Sequence, residues 1–282
     1  ERISTGASMV SNPCAKDRLS GNGHLMRTLL PLYLLALIIC HSARTCAQAP
    51  GSTDLTFATG DLGGGIGDGA DGDIWDMIVQ PDGKIVVAGG FNNYDTSPRR
   101  RLARLNANGT LDPAFLNIQV VDWGVDCIAL QADGKVLAGG PFTTFGGLNC
   151  GRIVRTLVNG SVDATFVTGT GFNGEVDRIL VQPDGKILVI GAFTAYNGTP
   201  CQRMCRLNSN GSIDPLFNVG TGPAGGSNGA AFSMVRFPSG QILLGGDFGS
   251  FNGAARNNLV LLNTDGSVFN AFIPPGNGPN AW

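Results

Sequence analysis

Short runs of apolar and polar residues end at glycine-rich turns, and this pattern returns four times along the chain. The turn sequences QPDGK at Gln80, QADGK at Gln131, QPDGK at Gln182 and FPSGQ at Phe237 start 51, 51 and 55 residues apart. Apolar residues alternate before each turn, and a nearly continuous apolar strand such as 187–190 follows it. Alternation of this kind around a Pro-Asp-Gly turn predicts a β-hairpin in every copy.

A second turn with Asn-Gly or Asp-Gly at its centre follows in each copy. If Asn106 and Thr110 close this turn in the first copy, Arg104 lies opposite Asp112. The same spacing gives three charged pairs and one apolar pair: Arg104/Asp112, Arg155/Asp163, Arg206/Asp214 and Leu261/Phe269. Opposite residues on antiparallel strands interact directly, so their joint replacement supports this register. Because a single active site does not need three copies, we interpret these pairs as structural.

Two hairpins in a unit of about 50 residues are typical of a four-stranded propeller blade. The fold class predicted is therefore all-β, a β-propeller of four-stranded antiparallel blades. A parallel β-helix ranks second, because its coils are shorter and lack such tight antiparallel turns. In the first copy we expect strands A, B, C and D at 74–80, 84–90, 101–107 and 110–116.

The domain organisation follows from where the pattern starts and stops. The copies cover about 58–115, 116–166, 167–217 and 218–272 within a partial propeller at 48–282. Residues 51–57 match strand D alone, which suggests that the start of the chain supplies an outer strand to a final blade. Since only ten residues follow Phe272, we expect the chain to be truncated on entering a fifth copy at 273–282.

The amino-terminal segment has the pattern of an export signal. Arg27 after Met26 forms a short positive region, and the apolar run 29–40 is followed by small residues. A run of this length is too short for a membrane span. We therefore predict a signal peptide at 26–47, an upstream non-native segment at 1–25, and a secreted or cell-surface protein.

Charge and cysteine content exclude several function classes. Residues 48–282 carry 14 Lys and Arg against 19 Asp and Glu, which argues against a nucleic-acid partner. The sequence has no CxxC pair, so it predicts neither a zinc site nor a redox motif. Cys150 and Cys201 occupy equivalent positions in neighbouring copies, and their disulfide status stays open.

The first copy, QPDGKIVVAGGF followed by RLNANGTLDPAF, resembles the delta-60 repeat of secreted and surface proteins of Gram-negative bacteria. The resemblance covers residues 51–272, although Phe237, Gln241 and Phe269 depart from the pattern in the fourth copy. It implies a β-propeller-like fold, an extracellular location and a parent protein with more repeats. It brings no catalytic residues with it.

The loops on one face of such blades vary in length and sequence, whereas the hairpin turns on the other face are nearly uniform. Binding residues concentrate on loops held by a rigid scaffold. We therefore expect a protein or glycan ligand at the variable loop face. The candidates are Trp75 and Trp123 for stacking, the basic run with Arg99 and Arg100, and Glu175. For the two Trp side chains, packing between blades is the favoured use and ligand stacking is the alternative.

The Asp- and Gly-rich link at 61–73 offers weak calcium ligands in Asp68, Asp71 and Asp73, but it lacks a complete calcium-loop pattern. No cofactor is otherwise expected. The function predicted is an exported, non-enzymatic binding or structural module. The alternative is a carbohydrate-active lyase or glycosidase, which requires non-repeating carboxylates clustered at one mouth of a central channel. Four residues test this: Asp122, Asp126, Glu175 and Asp177.

Overall fold

The structure is a computed structural model, and it describes Phe57 and residues 69–116, 121–225 and 230–272. The predicted signal peptide, Asp68 and the start of a fifth copy lie outside these residues, as does the predicted strand 51–57 apart from Phe57. Every regular element in the described ranges is a β-strand. No helix in this part of the chain is long and apolar enough to cross a membrane.

Each repeat supplies five or six short strands; the first three share one order, and the fourth has an additional strand before its A strand. The first repeat contains β1 Ile74–Val79, β2 Ile85–Gly89, β3 Asn93–Tyr94, β4 Ser97–Pro98 and β5 Leu102–Leu105. The second contains β6 Cys127–Leu130, β7 Val136–Gly139, β8 Thr144–Phe145, β9 Leu148–Asn149 and β10 Ile153–Thr156. The third contains β11 Val176–Val181, β12 Ile187–Gly191, β13 Ala195–Tyr196, β14 Thr199–Pro200 and β15 Met204–Leu207. The fourth contains β16 Pro223–Ala224, β17 Ala230–Arg236, β18 Ile242–Asp247, β19 Ser250–Phe251, β20 Ala254–Ala255 and β21 Leu259–Leu262.

The main sheet of each repeat is antiparallel and follows the predicted order A, B, C. In the first repeat it is β1-β2-β5, and the same order recurs in the other three. The A–B turn closes as expected, since the Gln80 amide donates to the Lys84 carbonyl at 2.7 Å and Gly83 has a φ of +82°. A glycine suits this left-handed conformation because it has no Cβ. The predicted fold class is confirmed.

Strand D is shorter than predicted and consists of one bridge residue. Leu111 pairs with Leu105, and single bridges occur at the equivalent places of the other repeats. The chain then turns, because the Asp112 carboxylate accepts from the Ala114 amide at 2.9 Å and Pro113 has no amide to donate. The Asp-Pro sequence that identifies the strand also ends it.

A second small sheet lies in the segment between strands B and C, where we predicted a freely varying loop. The hairpin β3-β4 and the bridge from Ala70 to Tyr94 form it in the first repeat. Its turn has two successive residues with positive φ, as a type I′ turn requires. These pairs are Asp95/Thr96, Gly146/Gly147, Asn197/Gly198 and Asn252/Gly253. The aromatic residue before each turn is buried: Tyr94, Phe145, Tyr196 and Phe251.

Consecutive repeats pack face to face through apolar side chains. Val86, Leu102 and Phe115 of the first repeat join Val125 and Phe142 of the second in one buried cluster. Two further clusters join the second repeat to the third and the third to the fourth. The A strands lie side by side, with β1 against β6, β6 against β11, and β11 against β17. The core therefore sits between the sheets, as in a stack of propeller blades.

Candidate functional site

The predicted Arg/Asp pairs form, and each is part of a larger cluster that we name the junction cluster. In the first repeat it comprises Lys84, Arg104, Asp112 and Phe115. The Arg104 Nε and Lys84 Nζ atoms lie 2.8 and 2.9 Å from Asp112 Oδ2. The Arg104 guanidinium also stands 4.8 Å from the centre of the Phe115 ring, and its Nη1 donates to the Val158 carbonyl of the second repeat at 2.6 Å. The cluster thus ties neighbouring repeats together.

The junction cluster recurs in the second and third repeats and is replaced in the fourth. The repeated ion pairs are Lys135/Asp163, Arg155/Asp163, Lys186/Asp214 and Arg206/Asp214. In the fourth repeat the three charged positions hold Gln241, Leu261 and Phe269. The backbone register survives there, since the Phe269 amide donates to the Leu261 carbonyl at 2.8 Å. The sequence analysis did not predict that the lysine joins the Arg/Asp pair. Its replacement by Gln241 in the repeat that also lacks the other two charges was the signal that could have shown it.

The carboxylates of the junction cluster are held ionised. Burial raises the pKa of Asp112, but hydrogen bonds from Lys84, the Ala114 amide and Arg104 outweigh it and lower that pKa to about 2. Against the same effect of burial, hydrogen bonds from the Thr165 hydroxyl and amide and from Lys135 lower the pKa of Asp163, and those from Lys186, the Leu216 amide and Arg206 lower the pKa of Asp214. Structural hydrogen bonds and charged partners, not catalytic tuning, account for these shifts.

A cleft of about 540 Å³ lies between the turns of the second and third repeats. Its polar lining includes Asp133, Lys135, Arg155 and Thr165. Lys135 and Arg155 belong to the junction cluster of the second repeat, and equivalent ion pairs occur in the first and third repeats. We therefore regard this cleft as a structural feature of the junction.

The A strand of each repeat carries one position that we name the bulge row: Trp75, Asp126, Asp177 and Phe232. The pairing with strand B is shifted at Trp75, Asp177 and Phe232, as in a β-bulge. Asp126 takes the equivalent place directly before β6, and its amide donates to the Gly139 carbonyl at 2.8 Å. The backbone geometry is thus repeated while the side chain changes. Trp75 and Phe232 are 48% and 53% exposed, and the two Asp residues are half-buried.

The carboxylates of the bulge row interact with each other and with Glu175. Burial, followed by the charges of Glu175 and Asp177, raises the pKa of Asp126 to about 6. Burial and then the charge of Glu175 raise the pKa of Asp177 to about 6, and Arg178 opposes both shifts. Glu175 is therefore close enough to act on the ionisation of both Asp126 and Asp177, and Asp177 acts on that of Asp126. Perturbed carboxyl groups of this kind are characteristic of functional sites.

The two tryptophans predicted for ligand stacking differ in their surroundings. The Trp75 ring packs on Gly90 of its own repeat and on Gly124 of the next, where an added Cβ would clash with it. Trp75 therefore also fills the junction between repeats. Trp123 is 64% exposed and immediately precedes Gly124.

The basic run lies apart in the segment that enters strand C. Arg99 is half-buried and donates from Nη1 to the Pro98 carbonyl at 2.8 Å, and Arg100 is exposed. The next residue, Arg101, has a φ of +66° and donates to the Gly90 carbonyl. The equivalent positions Arg152, Arg203 and Asn258 also have positive φ. Arg101 therefore has a structural role in this run, and the sequence analysis did not predict that role.

Two calcium candidates, Asp71 and Asp73, lie within the described ranges. The Asp71 carboxylate accepts from the amides of Asn92 and Asn93 at 2.7 and 2.8 Å, which lowers its pKa. Asp122 holds the amides of Thr143 and Thr144 in the same manner. Asp73 is exposed. No group of three or more His, Cys, Asp or Glu side chains in the described residues is arranged to hold a metal ion.

The four cysteines of the described region are free thiols: Cys127, Cys150, Cys201 and Cys205. The thiol of Cys150 lies 3.8 Å from the Thr143 carbonyl, and burial raises its pKa to about 12. Cys201 is hydrogen-bonded to Cys205 instead of approaching Cys150, and this contact lowers the pKa of Cys201.

Four segments of the chain match the family model described as a domain of unknown function (DUF5122) beta-propeller. They are residues 80–115, 131–166, 182–217 and 238–268. The matches coincide with the four repeats and are consistent with a β-propeller repeat family, while the delta-60 name stays a prediction. A comparison with curated proteins found no match.

Several solved structures are similar to the chain at low identity. A protein of unknown function from Bacteroides caccae is 14% identical, with a TM-score of 0.41 over 70% of this chain and 65% of that one. PorZ, a surface component of the type-IX secretion system of Porphyromonas gingivalis, is 15% identical, with a TM-score of 0.39 over 61% of this chain and 24% of that one. The extracellular domain of a putative one-component system from B. thetaiotaomicron is 11% identical, with a TM-score of 0.35 over 68% and 28%. The chain spans less than two thirds of each of these proteins, and likeness at this level carries no functional argument.

Proposed function

We propose that this chain, four segments of which match a β-propeller repeat family, is an exported binding module with its ligand surface at the bulge row. One observation carries the proposal. The bulge row keeps its backbone geometry in the described repeats, but its side chain changes from Trp75 to Asp126, Asp177 and Phe232. Side chains that vary on a constant and exposed scaffold are suited to recognition.

The chemistry of the bulge row favours a protein ligand with a basic segment. Asp126, Asp177 and Glu175 place negative charge between the aromatic side chains of Trp75 and Phe232. A Lys or Arg side chain can pair with the carboxylates, and its neighbours can pack on the rings. A bound cation also lowers the pKa of Asp126 and Asp177 from about 6, so binding strengthens as pH rises from about 5 to 7.5.

Export is part of this proposal and rests on the amino-terminal sequence. The positive residue Arg27, the apolar run 29–40 and the small residues after it have the order of a signal peptide. The acidic balance of residues 48–282 suits a partner of opposite charge.

A peptide array probed with the full chain tests the proposal, with a glycan array as the second arm. We expect basic peptides to bind, and Asp126→Asn with Asp177→Asn to weaken binding about tenfold or more. Asp184→Asn is the matched control. Asp184 lies in an A–B turn, where its Oδ1 atom accepts a hydrogen bond from the Lys186 amide, and the side-chain oxygen of Asn can accept the same bond. Equal binding by the double variant and the control contradicts the assignment of the surface. Binding of neutral glycans alone contradicts the ligand class.

A second candidate function is favoured by the pKa values of the same carboxyl groups. A carboxyl group with a pKa near 6 beside another carboxylate has the properties of a general acid in a glycosidase or lyase. A panel of polysaccharides incubated with the full chain tests this candidate. An enzyme would release products, and Asp126→Asn or Asp177→Asn would abolish the release, whereas binding without turnover favours the module.

A further inference from the structure

The third repeat places two thiols side by side where its strand C begins. Cys201 directly follows β14 and is partly buried, and Cys205 lies within β15 and is 3% exposed. The two side chains pack in the same apolar cluster and line the same cavity of about 290 Å³. They are also hydrogen-bonded to each other. The two sulfur atoms are therefore in contact, although both cysteines are free thiols.

The backbone holds both cysteines in place. The Cys201 amide donates to the Thr194 carbonyl at 3.0 Å, and Cys205 pairs with Val189 of β12. Between the two cysteines, Arg203 has a φ of +58°, in the left-handed region. In an extended strand, residues four apart are separated by about 13 Å. The turn at Arg203 is therefore what brings the two thiols together.

Among the four repeats, the third alone has a thiol at both of these positions. The equivalent pairs in the other repeats are Arg99/Ala103, Cys150/Val154 and Arg256/Val260. The geometry is nevertheless common to them, since the Cys150 amide donates to the Thr143 carbonyl at 3.1 Å. Cys150 and Val154 also pack in one apolar cluster, as Cys201 and Cys205 do. The fold thus juxtaposes these two positions, and the third repeat fills both with sulfur.

The two thiols differ in their reactivity towards an oxidant. The hydrogen bond from Cys205 lowers the pKa of Cys201 against the effect of burial, and Cys201 is the more exposed of the two. The same hydrogen bond, together with burial, raises the pKa of Cys205. The thiolate is the species that attacks a disulfide, and the thiol must also be accessible. Cys201 is therefore suited to react first, with Cys205 as its neighbouring second thiol.

We propose that Cys201 and Cys205 form a disulfide bond by exchange with an organic disulfide. The Cys201 thiolate bonds to one sulfur of the oxidant and displaces the other as a thiolate, which takes up the proton that Cys201 has lost. Cys205 then gives up its proton, and its sulfur bonds to the Cys201 sulfur and displaces the remaining half of the oxidant as a thiol. The two cysteines lose two electrons and two protons, and the oxidant gains them as two thiols.

The bond closes a loop of five residues around Arg203 and ties the hairpin β13-β14 to strand C. A cross-link of this kind stabilises a fold mainly because it restricts the unfolded chain. Oxidising compartments outside the cytosol maintain disulfides. The bond therefore suits an exported chain, but its chemistry rests neither on export nor on the bulge-row ligand.

Peptide mapping of the full chain after incubation with oxidised glutathione tests the proposal. Remaining free thiols are alkylated, and the chain is then unfolded and digested with trypsin without a reductant. Because trypsin cleaves after Lys186, Arg203 and Arg206, the two cysteines fall in separate peptides, 187–203 and 204–206. We expect these two peptides to stay joined until a reductant is added. Two separate alkylated peptides, or a link from 187–203 to the Cys150 peptide 136–152, overturn the proposal.

Single substitutions test the order of reaction. Cys205→Ser should accumulate a mixed disulfide with glutathione at Cys201, whereas Cys201→Ser should leave the buried Cys205 unmodified. Cys150→Ser is the matched control and should form the same bond as the wild type. Circular dichroism checks that each variant is folded. Glutathione on Cys205 in the Cys201→Ser variant overturns the assignment of Cys201 as the first thiol to react.

Thermal unfolding tests the effect of the bond on the fold. Oxidation should raise Tm by about 4–8 °C in the wild type and in Cys150→Ser, and should leave Tm of Cys201→Ser unchanged. An equal rise in Cys201→Ser, or no rise in the wild type, contradicts the stabilising role of the bond.

Discussion

Removing one charge from a junction cluster should cost much more stability than removing all of its charges together. Asp112→Ala leaves Arg104 and Lys84 without their carboxylate, and Arg104 is 6% exposed. Breaking a buried pair by removing one partner costs about 3–5 kcal/mol. The pKa of Asp112 gives an independent figure, because a fall from 3.8 to about 2 corresponds to about 2 kcal/mol. We therefore expect Asp112→Ala to lower the free energy of unfolding by about 2–5 kcal/mol.

The matched variant copies the fourth repeat, in which the cluster is Gln241, Leu261 and Phe269. Lys84→Gln, Arg104→Leu and Asp112→Phe together remove the three charges and leave none unpaired. The remaining losses are the hydrogen bond from Arg104 to the Val158 carbonyl and the one from the Ala114 amide to Asp112, together about 1–3 kcal/mol, and the second of these is lost in Asp112→Ala as well. Urea unfolding followed by tryptophan fluorescence measures both variants, with the exposed turn variant Asp82→Asn as the control. A triple variant that is no more stable than Asp112→Ala refutes the reasoning.

The same cluster predicts a dependence on pH. The folded pKa of Asp112 lies below its unfolded value, so its contribution is complete above about pH 4 and is lost as the pH falls towards 2. The difference in stability between the wild type and Asp112→Ala should shrink by about 1 kcal/mol between pH 7 and pH 3. If the difference in stability between the wild type and Asp112→Ala stays constant over this range, the variant loses packing and not the ionised carboxylate's interactions.

Three further predictions concern other parts of the described structure. The folded pKa of Asp126 and that of Asp177 are raised to about 6, so ionisation of both carboxyl groups opposes folding increasingly as the pH rises from about 4 to 7.5. Asp126→Asn should therefore raise Tm at pH 7.5 and raise it much less near pH 4, and a lower Tm at pH 7.5 contradicts this. Gly124→Ala should cost about 1–3 kcal/mol because its Cβ meets the Trp75 ring, and less than about 0.5 kcal/mol in a Trp75→Ala background; equal costs in both backgrounds mean that the ring does not lie on Gly124. Alkylation at pH 7.5 followed by peptide mapping should modify Cys201 about tenfold faster than Cys150, since the thiol of Cys201 is less buried and has a lowered pKa, and faster labelling of Cys150 counts against the described burial.

The repeat architecture could be predicted from the sequence because its turns are chemically explicit. Pro-Asp-Gly and Asn-Gly fix the two hairpins, and the register that they impose places Arg104 opposite Asp112, as the structure confirms. The type I′ hairpin between strands B and C was missed, because Asp95-Thr96 hides its signal in the first repeat. Gly146-Gly147, Asn197-Gly198 and Asn252-Gly253 carry that signal in the other three repeats.

The bulge row could be predicted only in part. Trp75 was selected for ring stacking, and Asp126, Glu175 and Asp177 as carboxylates that could cluster at a channel mouth, but the bulge itself depends on strand pairing and has no sequence signature. The roles of Asp71 and Asp122 were also hidden, since a carboxylate that accepts backbone amides resembles a metal ligand in sequence. In both cases the missing information is which backbone groups lie nearby.

The direction of the Arg104 hydrogen bond to the second repeat has a consequence for how such a chain can lengthen. In each of the first three units an arginine guanidinium donates a hydrogen bond to a backbone carbonyl of the next unit, whereas the fourth unit has Leu261 at the equivalent position. A duplicated unit inserted after the first or the second would accept a hydrogen bond from the arginine of the preceding unit and donate one to a carbonyl of the following unit. A unit placed directly after the fourth would lack this donor, so duplication of an inner unit is the kind of extension that keeps the guanidinium contact on both sides.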